Sequence, residues 1–245
     1  MCLGMATENG CPAPIQCLQC LAWLICLMVH AGRPLKPMKL PENRMSTIPL
    51  NFETDTVVLP PPALSPEATL EQALKNRHSS RAFLPDPLPL ETLSALLWAG
   101  FGINRPESTQ RTAPSAHNWQ EIDIFAVLPE GAYRYEAQTH QLLLIKAEDL
   151  RGTTGTQDFI ATAPLNLVYV ADFNRMPDAR PAERRFLAGA DAGCIAQNIY
   201  LFCASVGLAT VVRGLIDRAR LAAALGLTRT QRIALAQTVG FPAAS

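Results

Sequence analysis

Apolar positions recur with two different periods along this chain, and the switches between them mark its elements. From about Asn51 to Ser65 the chain is extended and punctuated by proline, as in VVLPPPALS. Ser65 is placed to cap a helix, Pro66 suits its first turn, and Glu67 adds favourable charge at its start. ATLEQALKNR then reads as helical, with Leu70 and Leu74 one turn apart on one face, and ends near RHSSR (77–81). Pro85, Pro87 and Pro89 enforce a loop, after which LETLSALLWAGFGI forms an apolar helix. Residues 103–119 are polar and broken by proline; a long loop in a compact domain usually carries function.

The period then shortens. IDIFAVL (122–128) reads as a strand, AYRYE and QLLLIK as a hairpin-like pair, and LNLVYVADF (165–173) as a strand apolar enough to be buried on both faces. Residues 147–161 read as a short helix and loop. The longest helical pattern runs over 181–206 and is capped by Gly207. On it Gly189, Gly193 and Ala196 form a small-residue register that permits close approach of a helix or a flat ligand. LATVVRG, a helix started by Asp217, and a last strand RIALAQTVGF (232–241) complete the body. Strands and helices mix without regular βαβ alternation, so the class is α+β.

Composition narrows the picture. With 245 residues, 49% of them hydrophobic and 17% charged, a sizeable core is available and disorder is excluded. The net charge is +0, so no global basic field exists to hold nucleic acid, and any anion must be gripped locally. Cys194 and Cys203, nine positions apart on one helix, stand about 13 Å from each other along the axis and cannot bridge; they read as small buried hydrophobes.

The first 45 residues stand apart. Leu18–Val29 is a continuous apolar run, too short for a comfortable membrane span, and Val29-His30-Ala31 before Gly32 resembles a signal-peptide cleavage site. The leading segment has no Lys or Arg, unlike a usual signal peptide. Three readings stand: an export signal, a start at Met38 or Met45, or a cysteine module built on Cys17-Leu-Gln-Cys20. The domain reading is 1–45 as signal or alternative start plus linker, 46–64 as an extended proline-rich lead-in, and 65–245 as the functional domain. An exported or periplasmic location follows from the first reading, a cytoplasmic one from the second.

Several motifs are absent: no GxxxxGK loop, no GxGxxG after a strand, no GxSxG elbow and no HExxH. The four histidines are not spaced as metal ligands, so no metal is expected. Asp191 on the long helix could pair with a carboxylate elsewhere, but nothing in the sequence marks such a pair, and a lone helix Asp reads as solvated or structural.

Three segments rise above this background. In RHSSRAF, Arg77 and Arg81 flank His78, Ser79 and Ser80. Two guanidiniums with a hydroxyl between them can clamp a phosphate, and they can equally be a solvated helix end. In RTAPSAHNW, Pro114 and Ser115 stiffen a turn and Asn118 offers both a donor and an acceptor to a heterocycle edge, or caps its own turn. In SVGLATVVRG, the turn at Gly207 and Leu208 offers backbone N–H groups, or simply closes a helix.

In this order, Arg77-His78-Ser79-Ser80-Arg81-Ala82-Phe83, Pro114-Ser115-Ala116-His117-Asn118, Gly207-Leu208-Ala209-Thr210 and Gly240-Phe241-Pro242 resemble the nitroreductase-like flavoproteins. The branch most similar includes the dehydrogenase components of thiazole- and oxazole-forming peptide synthetases. The resemblance covers roughly Leu70–Pro242. It implies an α+β fold with a central, mostly antiparallel sheet flanked by helices, and a homodimer with two FMN sites at its interface. Arg77, His78, Ser79 and Arg81 would contact the phosphate, ribityl chain and pyrimidine edge. Asn118 would bond the flavin's polar edge, Pro114 and Ser115 would line the ring from the partner subunit, and the backbone at Gly207 and Leu208 would face N5. The small-residue register of the long helix would belong to the dimer core.

The resemblance further implies an FMN-dependent oxidoreductase with NAD(P)H as electron donor and a small molecule as acceptor: a nitroaromatic, a quinone or a substrate being desaturated. The alternative is a non-catalytic flavin-binding protein of the same fold. No side chain stands out as an obligatory acid or base. Many family members finish the phosphate clamp with a basic residue near the C-terminus; no Lys or Arg follows Arg232 here, and Arg213 is the candidate substitute.

Overall fold

The computed structural model describes residues 55–64 and 67–243. The signal-like run, the Cys17–Cys20 pair, and the proposed cap Ser65 with Pro66 lie outside them. In chain order the elements are β1 (Thr56–Val58), α1 (Leu70–Asn76), α2 (Leu90–Phe101), β2 (Ile103–Arg105), β3 (Gln110–Arg111), β4 (Ile122–Leu128), β5 (Gly131–Glu136), β6 (Gln141–Lys146), β7 (Leu165–Asp172), α3 (Pro181–Val206), β8 (Ala209–Arg213), α4 (Arg218–Ala224) and β9 (Gln231–Gly240). Short 3-10 turns at Arg151–Thr153 and Asp158–Ala161 stand where a short helix was expected.

Seven strands form one sheet in the order β1-β6-β5-β4-β7-β9-β8, and every pairing in it is antiparallel. β4, β5 and β6 follow one another as a meander because tight turns join them. β7 is buried along its whole length except at Asp172, as its unbroken apolar run predicts. Its two faces enter different cores. Leu165, Leu167, Tyr169 and Ala171 pack with α2 and α3, while Val168 and Val170 pack with Leu221 of α4. The described residues thus form a sheet with long helices on one face and a short helix with irregular turns on the other.

The described part of the lead-in, residues 55–64, contributes a strand to this sheet. β1 pairs with β6 from Thr56↔Leu143 to Val58↔Gln141, and Val57 and Leu59 are buried. The buried Ser94 hydroxyl of α2 donates to Pro60 O, and His140 lies against the same carbonyl, with its other ring nitrogen 2.9 Å from the Tyr135 hydroxyl. The alternation in this stretch is too short to announce a strand.

α1 begins later than its sequence suggests. Thr69 is the cap, its hydroxyl accepting from Gln72 N at 3.2 Å. Only Ala73 of this helix is buried; Leu70 and Leu74 remain 66% and 54% exposed, so their shared face points away from the chain's own core. α3 shows the same bareness. Its buried stripe runs from Ala188 through Ala192, Ile195 and Ile199 to Cys203, but Phe186 is 74% exposed. A side chain added at Gly189 or Gly193 would meet nothing within 4 Å, whereas Ala196 is buried. Among the described residues, nothing therefore packs against the two glycines. By length and composition α3 is the one described helix able to cross a membrane, yet half of its apolar window is buried in the chain. Cys194 and Cys203 are both free thiols; burial pushes the Cys203 thiol well up.

Candidate functional site

RHSSRAF leaves α1 at Arg77 and runs across α3 and β8. Tyr200 of α3 organises it. Its hydroxyl lies 2.8 Å from Ser79 Oγ and accepts from Val212 N at 2.9 Å, while its ring carries the Arg77 guanidinium 5.4 Å above the centroid. Ser80 N donates to Thr210 O at 3.0 Å. The next residues pair with the end of the last strand: Leu84 N donates to Phe241 O, Ala243 N to Ala82 O, and Phe83 bridges Pro242. Gly240 has to be glycine, because a Cβ there would stand 2.8 Å from Pro164 Cδ and 3.4 Å from Phe83. The first and last motifs of the ordered set are thus physically joined.

Among the described residues, neither Arg77 nor Arg81 forms an ion pair. The His78 ring bonds its own backbone, with Nδ1 2.7 Å from Asn76 O. Arg77 and Ser79 are therefore held in place, with the Arg77 charge unmatched among the described residues, and Arg81 stands exposed beside them. A solvated helix end does not require a tyrosine that bonds the hydroxyl and underlies the guanidinium at once.

The turn after α3 behaves differently from its expected role. Gly207 adopts φ 75°, which closes the helix, and the N–H groups of both Gly207 and Leu208 donate to Cys203 O. Both donors are spent within the chain. Arg213 is likewise not the missing phosphate ligand. It is buried between the sheet and the turns at 151–161, where Nε donates to Thr238 Oγ1, Nη1 to Thr154 O and Gln157 Oε1, and Nη2 to Asn166 Oδ1. Among the described residues no carboxylate pairs with it, and burial pulls its pKa down to about 10.

The second motif folds around a buried acid that its sequence conceals. Ser115 Oγ donates to Glu121 Oε2 at 3.1 Å and accepts from Gln120 N, and Ala116 N donates to Asp191 Oδ2 at 2.8 Å. Glu121 is fully buried, Asp191 is 7% exposed, and Glu121 Oε1 has no hydrogen-bond partner among the described residues. Burial, then the nearby Asp191 charge, push the Glu121 carboxyl up to about 7. Asp191 is thus not solitary. The pair carries a segment in which His117, Asn118 and Gln120 all take positive φ, at 50°, 55° and 47°. Pro114, His117 and Asn118 are exposed on it.

These two clusters are not adjacent within one chain. Asp191, under the PSAHN segment, and Tyr200, under RHSSR, are nine residues apart on α3, which is about 13 Å along the axis. Tyr200, Glu121 and Arg111 were absent from the sequence candidates. Tyr200 lies in an apolar run with nothing local to mark it, and Glu121 and Asp191 are far apart in the chain.

An antiparallel seven-stranded sheet with long helices on one face places the described residues in the α+β class. Residues 74–241 match the Nitroreductase family, and the chain belongs to that family. A Ralstonia eutropha JMP134 protein described as a nitroreductase (reut_a1228) shares the fold with a TM-score of 0.75 and 41% identity, covering 87% of this chain and 100% of that one. A chain of the Escherichia coli microcin synthetase McbBCD complex, bound to truncated pro-MccB17, gives a TM-score of 0.61 at 20% identity, over 92% of this chain and 94% of that one. The NADPH:FMN oxidoreductase of Vibrio harveyi in complex with NAD+ gives 0.55 at 22% identity, over 71% of this chain and 69% of that one.

Proposed function

We propose that this chain is an FMN-dependent oxidoreductase that works as a homodimer, with NAD(P)H as donor and a small organic acceptor. The single observation that carries the reading is the Arg77–Ser79–Tyr200 arrangement: a positioned guanidinium and hydroxyl, with a second unpaired guanidinium at Arg81 beside them.

These residues fit an anionic cofactor tail. Arg77 and Arg81 would hold its phosphate through charge-assisted forks, and Ser79, fixed by Tyr200, would add a directed hydrogen bond. The flavin, when bound, supplies hydride transfer. Pro114, Ser115 and Asn118 would line the ring from the other subunit. The distance between the two clusters on α3 supports that division, and so does the bare face formed by Leu70, Leu74, Phe186, Gly189 and Gly193. Glu121 and Asp191 would hold the lining segment in register and exclude water from beneath it.

A second reading, flavin binding without turnover, is favoured by one observation: the Gly207 and Leu208 N–H groups are occupied by Cys203 O. Stopped-flow mixing of the flavin-loaded protein with NADPH under anaerobic conditions separates the two. The enzyme reading expects the visible flavin band to bleach within the turnover time and return with a quinone or nitroaromatic. A band that NADPH and NADH both leave unchanged would leave only the second.

A further inference from the structure

Glu121 stands in the last position before β4, and Asp191 lies on the buried side of α3. Among the described residues neither forms an ion pair. Glu121 Oε2 accepts from Ser115 Oγ and Asp191 Oδ2 from Ala116 N, so the two acids hold one turn between them. Glu121 Oε1 differs: it is buried with no donor aimed at it among the described residues. Its neighbour is the Asp191 carboxyl, which bears on it as a charge and as a hydrogen-bond partner. Two ionised carboxylates repel, and a hydrogen bond joins them only when one carries a proton.

The turn they carry needs fastening. His117, Asn118 and Gln120 take φ of 50°, 55° and 47°, a region that residues other than glycine enter at a cost. Asn118 N donates to Ser115 O, Trp119 N to Ala116 O and Gln120 N to Ser115 Oγ, which closes the turn on itself. Among the described residues its polar ties to α3 are the Ala116 N–Asp191 bond and the contact between the two acids.

We propose that Glu121 and Asp191 share one proton, that this proton fastens the 115–120 turn to α3, and that its release loosens the turn and weakens the hold on flavin. Glu121 is then a positioning residue, acting through Ser115 and the turn without touching the cofactor. The flavin part rests on the reading that this turn lines the ring.

The other charged and titratable groups nearby are engaged elsewhere. Arg175, just beyond β7, donates to both oxygens of Asp123 on β4 and to Gln120 O. Arg111 on β3 donates to Gln120 Oε1 and Phe101 O. Asp172 at the end of β7 accepts from Asn174 N, and His117 in the turn itself stacks on Trp119. Burial, and then the Asp191 charge, raise the Glu121 carboxyl to about 7. The fastened turn therefore binds the proton more tightly than an opened one does, and rising pH favours opening.

The test is hydrogen exchange of residues 116–120 at pH 6 and pH 8, on the full-length protein before flavin is added. Protection is taken relative to the intrinsic rate at each pH. The wild type loses about tenfold in protection, the linkage for a carboxyl near 7 when fastened and ordinary when free. Glu121→Gln, which carries a donor at every pH, keeps its protection. Asp191→Asn, whose amide donates to an ionised Glu121, loses less than the wild type. His117 is retained in both variants, so an effect of its making persists in them. Equal wild-type protection at the two pH values, or an equal fall in Glu121→Gln, overturns the shared proton.

FMN affinity is then measured at the same pH values and referred at each to Glu121→Gln. The ratio falls several-fold in the wild type from pH 6 to pH 8, whereas a merely structural role would leave it constant. A constant ratio with a loosening turn overturns the link to flavin. Absence of FMN binding in every protein overturns that link together with the oxidoreductase reading, while the exchange data still decide the proton.

Discussion

Glu121, just before β4, and Asp191, midway along α3, bring two buried carboxyl groups together beneath the segment that carries Pro114, Ser115 and Asn118. The proton on Glu121 is what allows both to be there, since two bare carboxylates in a buried site repel. Its carboxyl sits at about 7 in the folded chain against an ordinary 4.5. The folded state therefore binds a proton that the unfolded state has released. The contribution is fully present below the unfolded value, is lost as pH rises through the folded value, and levels off above it. The loss is on the order of 3 kcal/mol. Urea denaturation at pH 5 and pH 8 should show it as a fall in stability that is absent from Glu121→Gln, whose amide supplies a donor at every pH. Parallel curves for the two proteins would show that no proton is held there.

Tyr200→Phe removes one hydroxyl that serves both Val212 N and Ser79 Oγ. The ring under Arg77 stays, so the fold should survive. A stability loss of about 1 kcal/mol is expected, from the partly buried Val212 N–H left without its partner. Flavin affinity should fall with it, because Ser79 loses its anchor. Denaturation midpoints and flavin titration check the two effects separately.

Arg213→Ala should destabilise the folded chain by about 3 kcal/mol or more, since a charged hub of hydrogen bonds is lost from the interior. Thr154 O and Gln157 Oε1 would lose this donor, and Asn166 Oδ1 would keep only the Thr238 hydroxyl. The flavin content of the protein that still folds should stay at wild-type level, because Arg213 points away from Arg77 into the opposite core. A selective loss of flavin at unchanged stability would return Arg213 to the phosphate site.

Phe186, 74% exposed, and Leu74, 54% exposed, lie on the bare faces of α3 and α1. Phe186→Glu and Leu74→Glu should be neutral for a monomer's stability, because neither side chain has a packed site to lose. In a dimer they would place charge in the interface. Sedimentation velocity should show a shift from dimer to monomer, together with loss of flavin if both subunits build each site.

How much of this was legible in the sequence follows from the range of each interaction. The strands β4, β7 and β9 and the helix α3 were readable almost to the residue, because their apolar periods are long and their stops, such as Gly207, are local. β1 was not, since three residues among prolines carry no period. Leu70 and Leu74 were read correctly as one face, but a sequence does not say whether that face meets its own core or another chain. At the site, RHSSR and PSAHN stood out because arginine, serine and asparagine cluster locally. Tyr200, and the pairing of Glu121 with Asp191, depend on contacts between positions far apart. A tyrosine in an apolar helix looks like core until the hydroxyl that it positions is known.

The central claim is that Arg77, held over Tyr200 beside Ser79, grips the phosphate of FMN. Purified wild-type protein and Arg77→Ala, each incubated with excess FMN and then desalted, are compared by the visible flavin absorbance that remains per chain. The account predicts near-stoichiometric flavin on the wild type and at least about a tenfold weaker hold in the variant, the cost of one charge-assisted fork. Equal flavin on both proteins, or none on the wild type, would contradict it.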